Sequence, residues 1–251
     1  MNPFYKLLDS AKRYLFPHKC GGCRQILSKE AYGHAFCSSC FLKWNAAKVE
    51  DCPDCFRPAI ECTCMPKRLS SAGALCLRKA IFYDPTRRRE PCNRLIYFLK
   101  HRPVERYAKF LAAELTAGVL RELEVIGIDP GSVTVCGVPR GRRAYAEYGF
   151  DQAELIGRAL AEELGASYVS AIERKFGGRT QKKLSRDSRL KNVQGRFVLN
   201  GKKEIGRTVL LVDDVVTTGA SMAECARLLH RAGVRHVLCV CVAQDRKKSK
   251  I

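Results

Sequence analysis

The sequence predicts a two-part chain: a small cysteine-rich module, then an α/β domain with a doubly wound, mostly parallel sheet. Three observations carry this. Eight of the fourteen cysteines fall in the first 64 residues, mostly as CxxC pairs. Beyond residue 73, apolar runs of strand length alternate with stretches of helical apolar spacing. The run TVLLVDDVVTTGAS (208–221) joins a strand, a turn with two acids and a helix start in one unit. Strands alternating with helices imply parallel neighbours, because a parallel pair needs a crossover.

The bulk properties fit that division. A chain of 251 residues with 46% hydrophobic content can bury one ordinary core and a small second one. Its apolar runs, such as Val237 to Ala243, fall far short of the roughly 20 residues of a membrane span. Met1 to Phe16 has no apolar core segment or small-residue cleavage site and reads as an amphipathic helix, not a signal peptide. A cytoplasmic location is expected, with thiols kept reduced. The net charge is +20, of which residues 1–70 hold +5 and the rest +15. Thiolates bound to metal would bring the front segment close to neutral, so the positive field belongs to the second part. It suits a phosphorylated small molecule and a nucleic acid equally.

The cysteine module comes first. Cys20-x-x-Cys23 and Cys37-x-x-Cys40 are separated by 13 residues, and Cys52-x-x-Cys55 and Cys62-x-Cys64 follow. A CxxC turn puts two thiolates on one side of a tight loop, as tetrahedral Zn²⁺ requires. Four pairs make two Cys₄ sites, or one site and a spare set; spacing does not distinguish sequential from cross-braced pairing. An all-thiolate, closed site is structural, and a module this small needs metal to fold; an iron–sulfur cluster is the alternative. His18 and His34 read as ordinary surface residues, and Trp44 with Phe41 and Leu42 as a miniature core. Met65 to Gly73 reads as a linker by its Pro, Ser and Gly content, which divides the chain into residues 1–66 and 67–251.

In the second part, residues 74–84 (ALCLRKAIFYD) are strand-like, and Asn93 to His101 and Val104 to Leu123 are helical. Pro130-Gly131 is a turn and Val133 to Val138 a short strand. Asp151 to Leu164 is helical with Gly165 as C-cap, and Tyr168 to Ile172 is a strand. Glu173 to Asn192 is polar, basic and contains Gly177-Gly178, the composition of a mobile loop. Phe197 to Leu199 and Thr208 to Val212 are strands, Ala220 to Ala232 a helix closed by Gly233, and Val234 to Val242 a final strand. Residues 245–251 form a basic tail.

Ligands of open α/β sheets bind beyond the carboxyl ends of strands. The helix start after Val216 offers free N–H groups and a positive dipole end, both suited to phosphate. Thr217, Thr218 and Ser221 add hydroxyls, Gly219 permits close approach, and Val215, Val216 and Ala220 complete the loop. Asp213 and Asp214 repel phosphate but suit the neutral diol of a ribose, and can steer Mg²⁺ through water. A second turn, Pro139-Arg140-Gly141 with Arg142 and Arg143 behind it, offers guanidinium groups suited to a pyrophosphate.

The 208–221 run resembles the signature of the type I phosphoribosyltransferases, whose paired acids hold the ribose hydroxyls of 5-phosphoribosyl-1-pyrophosphate (PRPP) and whose loop cradles its 5′-phosphate. The resemblance sharpens to the ComF family, in which an N-terminal zinc module is joined to such a domain. The matching stretches are Tyr83 with LIYFLK (95–100), YGFDQA (148–153), and Arg174 with Gln181, Leu184, Arg189, Asn192 and Gly195. Tyr148 and Asp151 depart from the family's usual RGFNQA; they remove one positive charge and add a negative one on the pyrophosphate side.

The resemblance implies a PRPP site of Lys100, Pro139 to Gly141 and Asp213 to Ser221, with Mg²⁺ accompanying the ligand. It implies a flexible basic loop carrying Arg174, Gln181 and Arg189, and zinc on the eight N-terminal cysteines. It also implies single-stranded DNA and competence proteins as partners in natural transformation. The alternatives are an active phosphoribosyltransferase acting on a base or amine, and a zinc-dependent adaptor with a vestigial pocket. Glutamine amidotransfer is not expected, since residue 2 is Asn where the nucleophilic Cys would stand.

Overall fold

The computed structural model describes residues 17–175, 195–201 and 203–245, with the backbone alone at 142–144. The expected N-terminal helix, Gln181, Arg189 and the tail beyond 245 lie outside the described residues. In chain order the elements are α1 (Ser38–Lys48), α2 (Lys67–Ser70), β1 (Ala74–Tyr83), α3 (Pro91–His101) and α4 (Glu105–Val125). A 3₁₀ turn (Pro130–Ser132), β2 (Thr134–Gly137), α5 (Arg142–Tyr148), α6 (Gln152–Leu164), β3 (Ser167–Tyr168) and β4 (Ile172–Arg174) follow. The chain continues through β5 (Phe197–Leu199), β6 (Thr208–Val216), α7 (Ala220–Arg231) and β7 (His236–Asp245).

Five strands form a parallel sheet in the order β1-β7-β6-β2-β3, with β6 at its centre. Both faces are covered, which is why β6 and β7 read as near-continuous apolar runs. Side chains alternate across a strand. Leu210, Val212, Leu238, Val240 and Val242 thus join the core beneath α3, α4 and α6. Val209, Leu211, Val237, Cys239 and Cys241 join the core beneath α7, α2 and the antiparallel β4–β5 pair. Cys136, Cys239 and Cys241 are buried in strands, as their apolar contexts predict.

Several sequence expectations need correction. The expected strand Tyr168–Ile172 is broken: β3 ends at Tyr168 and β4 begins at Ile172. β4 runs through Arg174, so this residue belongs to a strand and not to the basic loop. β6 continues four residues past Val212, carrying both aspartates within the strand. The linker holds α2, whose Leu69 is fully buried against the α7 side of the sheet. Trp44 is also fully buried, but Phe41 and Leu42 are 42% and 69% exposed. The Trp44 indole packs instead on Phe36 and on Phe110 of α4, at 5.7 and 5.4 Å between ring centroids, and its Nε1 donates to Glu114 of the same helix at 3.0 Å. Tyr107 Oη donates to the Lys19 carbonyl at 2.7 Å. The front of the cysteine module and the sheet's helical layer therefore share one core.

Candidate functional site

The carboxyl end of β6 delivers Asp213 and Asp214, then Val215 and Val216, to the edge of the sheet. Thr217 and Thr218 span the gap to Gly219, the N-cap of α7, and Ala220 and Ser221 open the helix. Gly219 has φ +70°, a left-handed conformation that favours glycine. A Cβ there would meet Leu69 Cγ at 3.1 Å, so the linker helix also backs the loop. No side chain caps α7. Its first N–H groups need a partner from elsewhere, which is the chemistry of an anion site.

The strand pleat sends the two acids to opposite faces. Asp214 meets Lys100 of α3, with Nζ 3.4 Å from Oδ2. Each carboxylate also accepts the next residue's backbone N–H: Asp214 N to Asp213 Oδ1 at 2.8 Å, and Val215 N to Asp214 Oδ1 at 2.6 Å. Both residues keep partial exposure. Burial, and then the neighbouring Asp214 charge, push the Asp213 carboxyl well above the usual carboxylate range. Lys100 opposes that shift. α3 is itself tied to the site by Gln152, whose Nε2 donates to the Lys100 carbonyl at 2.9 Å.

The second turn lies at the end of the adjacent strand. Val138 N donates to the Val212 carbonyl at 2.8 Å, which seats Pro139–Gly141 beside β6. Asp151, the departure from the family pattern, organises this turn. Its Oδ1 accepts from Ala153 N at 2.9 Å as the N-cap of α6, and its Oδ2 accepts from Arg140 N at 2.6 Å. Burial raises its pKa, while these backbone donors oppose the rise. The added negative charge is thus spent on two N–H groups. Tyr148, the other departure, lies under the Arg140 guanidinium at 4.7 Å. Arg174 Nη1 would stand 3.3 Å from a Cβ at Gly141, so the glycine makes room for that guanidinium. Among the described residues, no carboxylate pairs with Arg140 or Arg174. Both line a cavity of about 550 Å³ with Pro139, Asp151, Tyr168 and Ser170. The cavity opens beside the 139–141 turn and not over 217–221.

The cysteines assemble in sequence order, settling what spacing left open. Cys20, Cys23, Cys37 and Cys40 form one group, Cys52, Cys55, Cys62 and Cys64 another, with the sulfurs of each within 4.8 Å of one another. Cys23 and Cys37 Sγ are 3.7 Å apart, as are Cys55 and Cys62 Sγ. Tetrahedral zinc with Zn–S near 2.3 Å needs sulfurs about 3.8 Å apart, so both groups fit the ion. The two sites are built alike. Cys20 N bonds the Gln25 carbonyl and Cys52 N the Arg57 carbonyl, each at 2.8 Å. Each turn then closes on a non-glycine residue at positive φ, Arg24 (71°) and Phe56 (56°). His18 and His34 belong to neither group.

Sequence reasoning missed Lys79. It is 1% exposed, and its Nζ donates to Cys62 Sγ at 3.2 Å and to the Cys62 and Cys64 carbonyls at 3.1 and 2.9 Å. A buried ammonium needs a counter-charge, and a zinc tetrathiolate carries two negative charges. The signal was available: Arg78 and Lys79 are adjacent cations inside an apolar strand, and in a sheet covered on both faces each of them is buried and needs a partner.

The phosphoribosyl transferase domain family matches residues 151–250. Over 238 residues the chain is 32% identical to the DNA utilization protein YhgH of Salmonella typhi, covering 90% of this chain and 97% of that protein. It is 27% identical over 205 residues to the competence protein ComFC of Streptococcus pneumoniae, covering 80% and 84%. A hypoxanthine phosphoribosyltransferase structure from Staphylococcus aureus aligns with a TM-score of 0.33 at 18% identity, over 59% of this chain and 70% of that one.

Proposed function

Because the chain belongs to the ComF family, we propose that it is a cytoplasmic competence-type protein that binds PRPP with Mg²⁺ and assists the handling of incoming single-stranded DNA. The observation that carries the PRPP part is the convergence of two acids, Lys100 and an uncapped helix start at the end of the central strand. The amides of 217–221 bind the 5′-phosphate, and Asp213 and Asp214 accept from the ribose hydroxyls. Arg140, oriented through its backbone bond to Asp151, takes the pyrophosphate, and Arg174 faces the same cavity from β4. Mg²⁺, held by the acids through water, would neutralise pyrophosphate oxygens when bound. Zinc in the two cysteine tetrads scaffolds the cysteine module of an N-terminal part, residues 1–66, that precedes a ribosyl domain of residues 67–251. The DNA part is supported by the relatives' names and by the charge of the ribosyl half.

Thermal melting tests the site. PRPP with Mg²⁺ raises the melting temperature of the wild type, and Asp213→Asn/Asp214→Asn abolishes the rise. No rise in the wild type counts against the site. One observation favours a second reading, phosphoribosyl transfer to a base: the cavity beside the pyrophosphate turn has room for a planar ring. Pyrophosphate release with one of a panel of bases supports transfer, and silence across the panel leaves binding as the function.

A further inference from the structure

On the outer side of α3, away from the Lys100–Asp214 pair, a row of aromatic rings runs from the first zinc turn to the pyrophosphate turn, with guanidinium groups at both of its ends. Arg24, next to Cys23, stands 4.1 Å from the Phe98 ring centroid, and Arg94 6.0 Å from the same ring. Phe98 meets Tyr97 at 6.1 Å, Tyr97 meets His101 at 4.4 Å, and His101 meets Tyr148 edge-on at 4.9 Å. Arg140 lies over Tyr148 at 4.7 Å and near Phe150 at 5.8 Å. Tyr97, in the middle, is 60% exposed, although burying its ring would be favourable. Arg102 at the end of α3 is exposed too. Among the described residues, none of Arg24, Arg94, Arg102 or Arg140 is paired with a carboxylate. Glu147 borders the row, hydrogen-bonds the Tyr148 phenol and pushes its pKa up, and Asp151 accepts from the Arg140 backbone N–H at the far end.

Core packing does not account for an exposed ring in the middle of an aromatic row whose ends carry guanidinium groups without a carboxylate partner. Single-stranded nucleic acid does: its bases present π-faces to stack and its backbone presents regularly spaced negative charge. A duplex hides its base faces, and an acidic peptide matches the charge but leaves the rings unused. We propose that this row is the path of single-stranded nucleic acid, with bases stacking on Tyr97 and its ring neighbours and phosphates meeting Arg24, Arg94 and Arg102. The inference rests on the nucleic-acid part of the proposed function and gives it a location. It places the contact along α3, and it brings the strand to Arg140, where the pyrophosphate site begins.

The test uses the full zinc-loaded chain and a fluorescent oligo-dT, followed by anisotropy at several salt concentrations. Tyr97→Ala weakens binding about tenfold, as loss of one stacked base predicts, with the salt slope unchanged. Tyr97→Phe, which keeps the π-face, binds as the wild type does. Arg24→Ala/Arg94→Ala lowers the salt slope by roughly 1 to 1.5, as expected for two lost phosphate contacts on a single strand. Unlabelled duplex competes poorly. Tyr97 is exposed, so its variants melt with the wild type. If the wild type binds and Tyr97→Ala and Arg24→Ala/Arg94→Ala bind equally well, the row is wrong while the DNA reading stands. If the wild type does not bind, both fall. If poly-glutamate displaces the oligonucleotide as effectively as unlabelled oligo-dT does, the surface is one for acidic protein and the proposal is overturned.

Discussion

Lys100 Nζ lies 3.4 Å from Asp214 Oδ2, joining the last turn of α3 to the carboxyl end of β6. This contact offsets part of the repulsion among Asp213, Asp214 and Asp151, whose charges all act at Asp213. On the proposed PRPP site it also puts a cation beside the two carboxylates, where it would meet the ligand's phosphate charge.

Replacing Lys100 therefore costs affinity more than stability, since the side chain is 37% exposed. Lys100→Ala is expected to weaken PRPP binding about tenfold, the scale of one charge-assisted contact. Lys100→Arg is expected to recover part of the loss. Calorimetric titration with Mg²⁺ reads both.

Asp213 has a pH signature. Its folded-state pKa is raised above the unfolded value of about 3.9, so the folded chain binds the extra proton. The stability this contributes is present below about pH 4 and lost as pH rises toward the folded pKa. Asp213→Asn keeps an acceptor for the Asp214 N–H and removes the desolvated charge. Its melting temperature should exceed that of the wild type at pH 7, by about 2–4 °C for each kcal/mol relieved, with the gap closing as pH falls. Equal melting curves at pH 7 would count against the burial of this charge.

Metal and fold are predicted to be inseparable. Elemental analysis should find two zinc ions per chain, one for each tetrad. Chelation should lower the melting temperature of the whole protein, because Phe36 and Trp44 pack on Phe110 of the ribosyl half. Lys79→Met should weaken the second site about 10- to 100-fold, the usual effect of losing a partner of a metal ligand. One of the two ions is then lost first to a chelator, while the first tetrad keeps its own.

The linker gives a fourth test. Leu69 is fully buried beneath Gly219, so Leu69→Ala should cost about 2–5 kcal/mol. On the proposed site it should also weaken PRPP binding, because the space left by the side chain lies directly behind Gly219. An affinity unchanged in the folded fraction would show that the loop holds its shape without α2.

Much of this was legible in the sequence, for local reasons. VLLVDDVVTTGAS announces strand, acids and helix start because each depends on neighbouring residues, and Gly219 takes the left-handed conformation such a turn needs. CxxC spacing identified the ligands but not their grouping, since the 3.7 Å approach of Cys55 to Cys62 is set by the intervening turn. What escaped was non-local. Trp44 finds Phe110, Leu69 finds Gly219 and Lys79 finds Cys62 only once the sheet brings them together. The Asp151 departure looked like added charge toward the ligand because sequence does not reveal that Arg140 N turns back to meet it.

The most direct measurement is a calorimetric titration of PRPP with Mg²⁺ into the wild type and into Asp213→Asn/Asp214→Asn. Saturable binding at one site per chain, lost in the double variant, is the predicted result. A wild type that gives no heat of binding, or a double variant that binds as tightly, would contradict the assignment of the β6–α7 loop as the ribosyl phosphate site.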